Sequence, residues 1–200
     1  ALRSPPAWAA ICLALALAGT LFGSTQDPAA ADASPAGGGI YRVRIGSILH
    51  PIARDLLVET LELADRERAA AVVVELDTPG GLLTSTREMT TAVLGARTPV
   101  VVWVAPEGAQ AASAGFFLLM AADFAVMAPA TNAGAAHPVG GQGETIEGIL
   151  GKKVEEDAAA NVRALAARRG RDVALAEKAV LESRSFTAEE ALAAKLIDLV

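Results

Sequence analysis

A serine surrounded by small residues is the first feature of the sequence with a clear chemical use. Ser113 lies in the segment AQAASAG, residues 109–115. Small neighbours let the backbone turn sharply and let a substrate approach the hydroxyl, as in a nucleophile elbow with Ala in place of the first Gly. The ordinary alternative is that Ser113 caps the amino end of a helix.

A pair of glycines supplies the second chemical feature. Gly80 and Gly81 end the segment DTPGG, which follows an apolar run and precedes a helical pattern. Adjacent glycines leave backbone N–H groups uncovered, and such groups can bind a developing oxyanion. Pro-Gly is also ordinary turn chemistry. Because neighbouring parallel strands end at one edge of a sheet, we expect Ser113 and the glycine pair to lie together.

A nucleophilic serine needs a base to take its proton. The candidates are His137 in the segment AAHP and the adjacent Lys152 and Lys153, while Lys178 and Lys195 lie in polar surroundings typical of the surface. A lysine acts as a base only when it is uncharged, so burial or a neighbouring cation must lower its pKa. Spacing alone leaves Lys153 and His137 open, and either can instead be a surface residue.

The elements that would position these residues alternate along the chain. Residues 71–76 and 99–104 are apolar and β-branched, as in parallel strands covered on both faces, and residues 41–45 alternate as a strand with one wet face. The other elements expected in this half are helices over 51–68, 82–96 and 114–122 and a strand over 124–127. The first helix is expected to bury an apolar stripe made of Ile52, Leu56, Leu57, Leu61 and Ala64. This order predicts an α/β fold with a largely parallel sheet.

The carboxyl-terminal part is predicted to be mainly helical. An apolar stripe predicts a helix from about residue 151 to Gly170, and Asp172 is placed to cap the next helix. Thr187 and Glu190 have the spacing of a capping box. The closing residues LIDLV suggest a short strand.

The amino terminus has the layout of an export signal. Arg3 precedes an uncharged run over residues 7–23, and a linker rich in Ala, Gly and Pro follows over residues 24–39. The run is just long enough to span a bilayer, so residues 1–23 are either a cleaved signal peptide or a retained membrane anchor. In both cases the folded domain, residues 40–200, is expected outside the cytoplasm, in the periplasm or at the cell surface.

The composition argues against several other classes of protein. The formal charge is −6 with no basic stripe, which argues against nucleic-acid binding. Cys12 is the only cysteine, so no disulfide can form within the chain, and two histidines without a later cysteine make a zinc site improbable. We expect no metal and no cofactor.

Four blocks in order resemble a known family over residues 40–200. They read VVVELDTPGG, PVVVWVAPEGAQAASAGFFLLMAADFAVMAPATNAGAAHPV, KVEEDAAANVRALAARRGRD and AVLESRSFTAEEALAAKLIDLV. They resemble the NfeD-type membrane-bound serine proteases, the stomatin operon partner proteases. The resemblance implies a crotonase/ClpP-like fold, related distantly to the Clp proteolytic subunit and to signal peptide peptidase A.

The same resemblance implies roles for particular residues. It makes Ser113 the nucleophile and Lys153 the general base, with Gly81 and Ala114 as oxyanion-hole donors and Gly80 in support. The family's lysine lies about one residue further from its serine, which keeps Lys152 in view as an alternative. The Clp subunit uses a histidine at nearly the distance of His137, which therefore ranks second as base.

The implied activity is cleavage of a hydrophobic segment in a membrane protein, such as a stomatin-like partner, by a dimer or larger homo-oligomer. Residues 116–119, FFLL, lie beside Ser113, and we expect them to be core rather than substrate contacts. The alternatives are a Ser-His peptidase that uses His137 and a non-catalytic, membrane-associated module that binds a partner. A crotonase-type acyl-CoA enzyme shares the fold but would have no use for Ser113.

Overall fold

The computed structural model describes residues 38–141 and 143–200. The predicted export segment, residues 1–23, and nearly all of the predicted linker lie outside the described residues.

A four-stranded parallel sheet forms the centre of the domain. Its strands are β1 (Ile40–Ile45), β2 (Ala71–Leu76), β3 (Val100–Val104) and β5 (Phe124–Met127), in the spatial order β1-β2-β3-β5. All three pairings are parallel. The run of valines through β2 and β3 suits a sheet whose faces are covered by helices, as predicted.

A second, smaller sheet lies next to the predicted nucleophile. It contains β4 (Gln110–Ala112), β6 (Asn132–Gly134) and β7 (Ser185–Thr187), with β4 parallel to β6 and β6 antiparallel to β7. The sequence analysis missed this sheet because three-residue strands are too short to carry an alternating pattern.

The helices follow the predicted order. Their bounds are α1 Pro51–Glu67, α2 Leu83–Gly95, α3 Ala114–Ala121, α4 Gly148–Arg168, α5 Val173–Leu181 and α6 Ala188–Ala193.

Three local signals explain where helices begin. Pro51 occupies the first turn of α1, where its missing N–H costs nothing. Asp172 caps α5 by accepting a hydrogen bond from the Leu175 N–H at 2.8 Å. Thr187 and Glu190 form both hydrogen bonds of the capping box that opens α6. The last two predictions are therefore confirmed.

Two details of the sequence analysis were wrong. Ile52 and Leu56 were expected on the buried stripe of α1, but they are 76% and 47% exposed. The helix buries the face that contains Ala53 and Leu57 instead, so the small Ala53 and not the large Ile52 begins the stripe. The closing residues form no regular strand, and only an isolated bridge joins Leu199 to β5.

The short helix α3 is buried along its whole length. Residues 116–119 are all core, as predicted, although Phe117 also lines the cavity described below. At the carboxyl end of α3, Arg169 donates to the carbonyl of Ala121 at 2.7 Å, and Arg171 donates to those of Met120 and Ala122 at 3.1 and 3.0 Å. These arginines satisfy carbonyl groups that no helical N–H can reach.

Candidate active site

Ser113 occupies a sharp turn between β4 and α3. Its backbone has φ 50° and ψ −115°, a combination that favours glycine. The turn is held on both sides, because the Ser113 N–H donates to the Gly134 carbonyl at 2.8 Å and its carbonyl accepts from the Phe116 N–H at 3.0 Å. The hydroxyl makes no capping bond to α3. The serine thus precedes the helix without capping it.

The glycine pair lies directly against Ser113. A Cβ built on Gly80 would come within 3.0 Å of the Ser113 Cβ and 3.4 Å of its Oγ. Gly80 has φ +142°, which a residue with a side chain rarely adopts. The two segments that the sequence analysis expected at one sheet edge are therefore neighbours, and the close approach requires glycine.

Gly81 and Ala114, the residues that follow Gly80 and Ser113, each carry a backbone N–H that the surrounding hydrogen bonds do not use. Gly81 forms a parallel bridge with Leu49, in which Leu49 donates to the Gly80 carbonyl at 2.8 Å and Leu82 donates to the Leu49 carbonyl at 2.9 Å. In such a bridge the N–H of Gly81 itself points away from Leu49. Within the described residues, neither this N–H nor that of Ala114 has a hydrogen-bond partner.

Ser113 opens into an apolar cavity of about 310 Å³. Its walls come from α2, α3, α4 and the segment between β6 and α4, and they consist of Gly81, Leu83, Thr86, Ser113, Ala114, Phe117, Ala136, Pro138, Val139, Ile146, Val154 and Ala158. Because nearly all of these side chains are apolar, the cavity suits an apolar group placed beside the hydroxyl.

The two lysines lie outside this cavity. Lys152 and Lys153 are exposed and line a separate shallow groove of about 570 Å³ with Gly148, Ile149 and Glu156. Along the chain, Val154 is the first residue of α4 that lines the cavity. Successive helical residues point about 100° apart, so Lys153 faces a different direction from its neighbour.

His137 also stays outside the cavity. Its ring Nδ1 lies 3.1 Å from the carbonyl of Val180, and it is half-buried. The residues on either side, Ala136 and Pro138, do line the cavity, and the Ala136 N–H donates to the Ala179 carbonyl at 2.7 Å. The histidine therefore ties its segment to the end of α5.

Sequence reasoning missed one polar side chain of the site. Thr78 is fully buried, and its hydroxyl donates to the Gly80 carbonyl at 2.9 Å and accepts from the Gly80 N–H at 3.2 Å. A threonine two residues before a turn glycine is a known signal for such local bonds, but it does not reveal what the turn is for. Among residues 38–141 and 143–200, no cluster of three or more His, Cys, Asp or Glu side chains could hold a metal ion.

Comparison with known proteins extends this description. Residues 40–200 match the family model of the NfeD1b N-terminal domain. The membrane-bound protease PH1510 of Pyrococcus horikoshii is 31% identical over 164 residues, which cover 80% of this chain and 37% of that protein. The membrane protein NfeD1b of Bacillus subtilis is 30% identical over 108 residues, covering 54% of this chain and 24% of the relative.

Solved structures agree with the fold. A serine-to-alanine mutant of the 1510-N membrane-bound stomatin-specific protease superposes with a TM-score of 0.77 at 30% identity, covering 82% of this chain and 80% of that one. A lysine-to-alanine mutant of the same protease in complex with a substrate peptide also gives 0.77 at 30% identity, with 82% and 76% coverage.

The parallel sheet, the flanking helices and these relatives define a class, that of proteins with the ClpP-like α/β fold. Within that class, the chain belongs to the NfeD1b N-terminal domain family. The chain spans 37% and 24% of the lengths of the two curated relatives. Both relatives are named as membrane proteins, whereas none of the helices described here is long and apolar enough to cross a bilayer.

Proposed function

We propose that this chain is a serine endopeptidase in which Ser113 is the nucleophile and Lys153 the general base. The N–H groups of Gly81 and Ala114 bind the oxyanion, with Gly80 in support. The observation that carries the proposal is the uncommitted hydroxyl of Ser113 in a glycine-like turn, beside two unpaired N–H groups.

The reaction is acyl transfer. Uncharged Lys153 takes the proton of Ser113, whose oxygen attacks the peptide carbonyl, and the negative oxygen turns towards the two N–H groups. Lys153 then gives its proton to the leaving amine as the C–N bond breaks. Water, deprotonated by the same lysine, releases the acyl group and restores the hydroxyl.

This mechanism requires the amino-terminal end of α4 to move. Lys153 is next to Val154, which already lines the cavity, so a rotation of that end would bring the amine towards Ser113. Two features support such mobility. The side chain of Lys153 forms no hydrogen bond or ion pair with another described residue, and Ile149 and Leu150 are 78% and 65% exposed. His137 remains the second candidate for the base.

The proposed substrate is an apolar segment of a membrane protein. The apolar walls of the cavity support this class of substrate. The protease 1510-N is described as stomatin-specific, and we extend this to a stomatin-like partner of the present chain. We further propose that residues 1–23 direct export and that the domain functions outside the cytoplasm. We also propose that it assembles as a homodimer or larger ring.

A fluorophosphonate probe tests the nucleophile directly. The full chain should be labelled once, should cleave a synthetic apolar peptide, and should lose both properties in Ser113→Ala. Cleavage that survives in Ser113→Ala would place the nucleophile elsewhere.

One observation favours a second function, that of a non-catalytic module that binds a membrane partner. Both candidate lysines lie outside the cavity that contains Ser113. If the wild-type chain neither reacts with the probe nor cleaves peptides, but retains the apolar peptide in a binding assay, this function replaces the peptidase.

A further inference from the structure

We infer that Thr78 is a positioning residue of the oxyanion hole, whose hydroxyl fixes the direction of the Gly81 N–H. This inference rests on the proposed peptidase function. It concerns a side chain that does not line the cavity and would not touch the substrate.

A single peptide group contains both the anchored carbonyl and the proposed donor. The carbonyl of Gly80 and the N–H of Gly81 belong to the same planar trans unit, so they point in opposite directions. The Gly80 oxygen accepts two hydrogen bonds, from the Thr78 hydroxyl at 2.9 Å and from the Leu49 N–H at 2.8 Å. These two donors hold the oxygen towards Leu49 and Thr78. The N–H of Gly81, a residue that lines the cavity, is therefore directed away from them.

A peptide between two glycines needs such an anchor. Glycine populates positive and negative φ with similar ease, so the Gly80–Gly81 unit meets little steric resistance to flipping. A flip would turn a carbonyl oxygen towards the oxyanion and remove the donor. Thr78 also accepts from the Gly80 N–H at 3.2 Å, so its hydroxyl holds both peptide groups that flank Gly80.

The anchor is itself joined to the nucleophile. The Thr78 N–H donates to the Gln110 carbonyl at 2.7 Å, and the Thr78 carbonyl accepts from the Ala112 N–H at 3.1 Å. Ala112 directly precedes Ser113. Thr78 therefore links the Gly80–Gly81 turn to strand β4, which directly precedes Ser113, and fixes the position of one relative to the other.

The threonine has two parts that mutation can separate. Its methyl group occupies the space beside Gly115, where an added Cβ would lie 2.5 Å from the Thr78 Cγ2. Its hydroxyl serves the Gly80 carbonyl. Thr78→Val keeps a methyl group and removes the hydroxyl, whereas Thr78→Ser keeps the hydroxyl and removes the methyl group.

Removal of the Thr78 hydroxyl is expected to lower kcat and to leave KM nearly unchanged. The negative oxygen exists in the transition state and not in the bound substrate, so a weakened donor raises the barrier without loosening ground-state binding. A carbonyl that accepts hydrogen bonds also polarises the N–H of its own peptide and makes it a stronger donor.

The experiment compares three variants of the full chain in hydrolysis of an apolar peptide. We expect Thr78→Val to lower kcat by roughly ten- to a hundredfold with KM within about twofold, less than the full loss of an oxyanion donor. Thr78→Ser should keep kcat within about threefold of wild type. The matched control is Thr90→Val, since Thr90 is a buried threonine of α2 whose hydroxyl donates to the Arg87 carbonyl at 3.0 Å.

A Thr78→Val variant with the kcat of Thr90→Val overturns the inference. So does a Thr78→Ser variant as slow as Thr78→Val, because the methyl contact would then explain the loss. If the wild type hydrolyses nothing, the proposed function fails separately, and a crystal structure of Thr78→Val decides the inference. An unchanged Gly80–Gly81 peptide overturns it, and a flipped peptide supports it.

Discussion

The two halves of the candidate site are built in opposite ways. The nucleophile half, comprising Gly80, Gly81 and Ser113, lies at the ends of buried strands, and backbone hydrogen bonds hold it on several sides. The base half, the amino-terminal end of α4 from Gly148 to Lys153, is mostly exposed. The first half is positioned before any substrate arrives, whereas the second has few contacts that fix its direction.

This difference suits the two proposed roles, oxyanion binding in the first half and proton transfer in the second. Oxyanion stabilisation depends on donors that are already in place, so it belongs on rigid elements. A base need only reach the nucleophile when a substrate is bound, and segments of low local stability are the ones that move on binding. Variants at Gly81 and Lys153 test whether the two halves differ as described, and variants at Arg171 and Asp65 test contacts in the elements around them.

The largest expected effect is that of Gly81→Ala in the rigid half. The added Cβ would lie 2.4 Å from the Leu49 carbonyl oxygen and 2.5 Å from its Cβ, so the loop must shift. We expect a loss of about 3 kcal/mol in the free energy of unfolding, measured by denaturant titration, and no detectable peptide hydrolysis.

The matched control is Gly141→Ala, in the segment that precedes the base half. An added Cβ there meets nothing within 4 Å. Its unfolding free energy should stay within about 0.5 kcal/mol of wild type. Equal losses in the two variants would contradict the contrast between the halves.

Lys153→Ala should separate activity from stability. Because Lys153 is exposed, thermal unfolding should be unchanged, while the loss of the base should lower kcat by at least about 10³-fold. Lys152→Ala is the matched control and should remain close to wild type. A loss confined to Lys152→Ala or to His137→Ala would move the base to that residue.

The pH profile sharpens the same prediction. A lysine takes a proton only in its uncharged form, so kcat/KM should keep rising on the alkaline side of neutrality. A histidine base would instead give a plateau that begins near neutral pH.

A smaller effect is expected at the far end of the nucleophile helix. Burial lowers the pKa of Arg171, and Asp198 opposes this shift. Arg171→Met removes the donor to the carbonyls of Met120 and Ala122 and should cost about 2 kcal/mol in the free energy of unfolding. The exposed Arg168 of α4 provides the control, and Arg168→Met should change that free energy by less than about 0.5 kcal/mol.

The smallest effect is expected at Asp65, which joins α1 to the segment before β3. Burial raises the pKa of Asp65, but the N–H groups of Arg97 and Thr98 lower it by more, so the net shift is downward. A lowered pKa means that the ionised carboxylate stabilises the fold above its unfolded pKa and that this contribution is lost as the pH falls through the folded value.

Asp65→Ala should therefore cost about 1–2 kcal/mol at neutral pH, and the difference from wild type should shrink below about pH 4. Denaturant titrations at several pH values measure it. Glu59→Ala removes an exposed carboxylate from the same helix and should show neither the cost nor the pH dependence. A cost for Asp65→Ala that stays constant down to acid pH would contradict the assignment.

The comparison also explains what the sequence can predict. The long strands and most of the helices follow from runs such as AVVVEL and from capping residues such as Asp172, whose physics is local. The proximity of Ser113 and Gly80 was expected from the rule that parallel strands end together, although Ser113 follows β4 of the second sheet, which meets the end of β2 through a parallel bridge between Thr78 and Ala111. These features belong to the rigid half of the site or to the sheet that supports it.

The remaining features depend on contacts that leave no periodic signal. The β4–β6–β7 sheet is assembled from three-residue pieces distant in sequence. The direction of Lys153 depends on where α4 begins, at Gly148 rather than near residue 151, and on how the preceding loop approaches. The hydroxyl of Thr78 acts through a neighbouring peptide group, so its residue type alone does not reveal its role.

The backbone angles of Ser113 imply that a side chain at this position lowers the stability of the fold. A side chain at φ 50° and ψ −115° carries about 1–3 kcal/mol of conformational strain, and glycine would relieve most of it. Ser113→Gly should therefore melt at a higher temperature than the natural chain while lacking a nucleophile. Selection for heat resistance alone would therefore favour glycine at this turn, and the hydroxyl of Ser113 is present at a cost in stability.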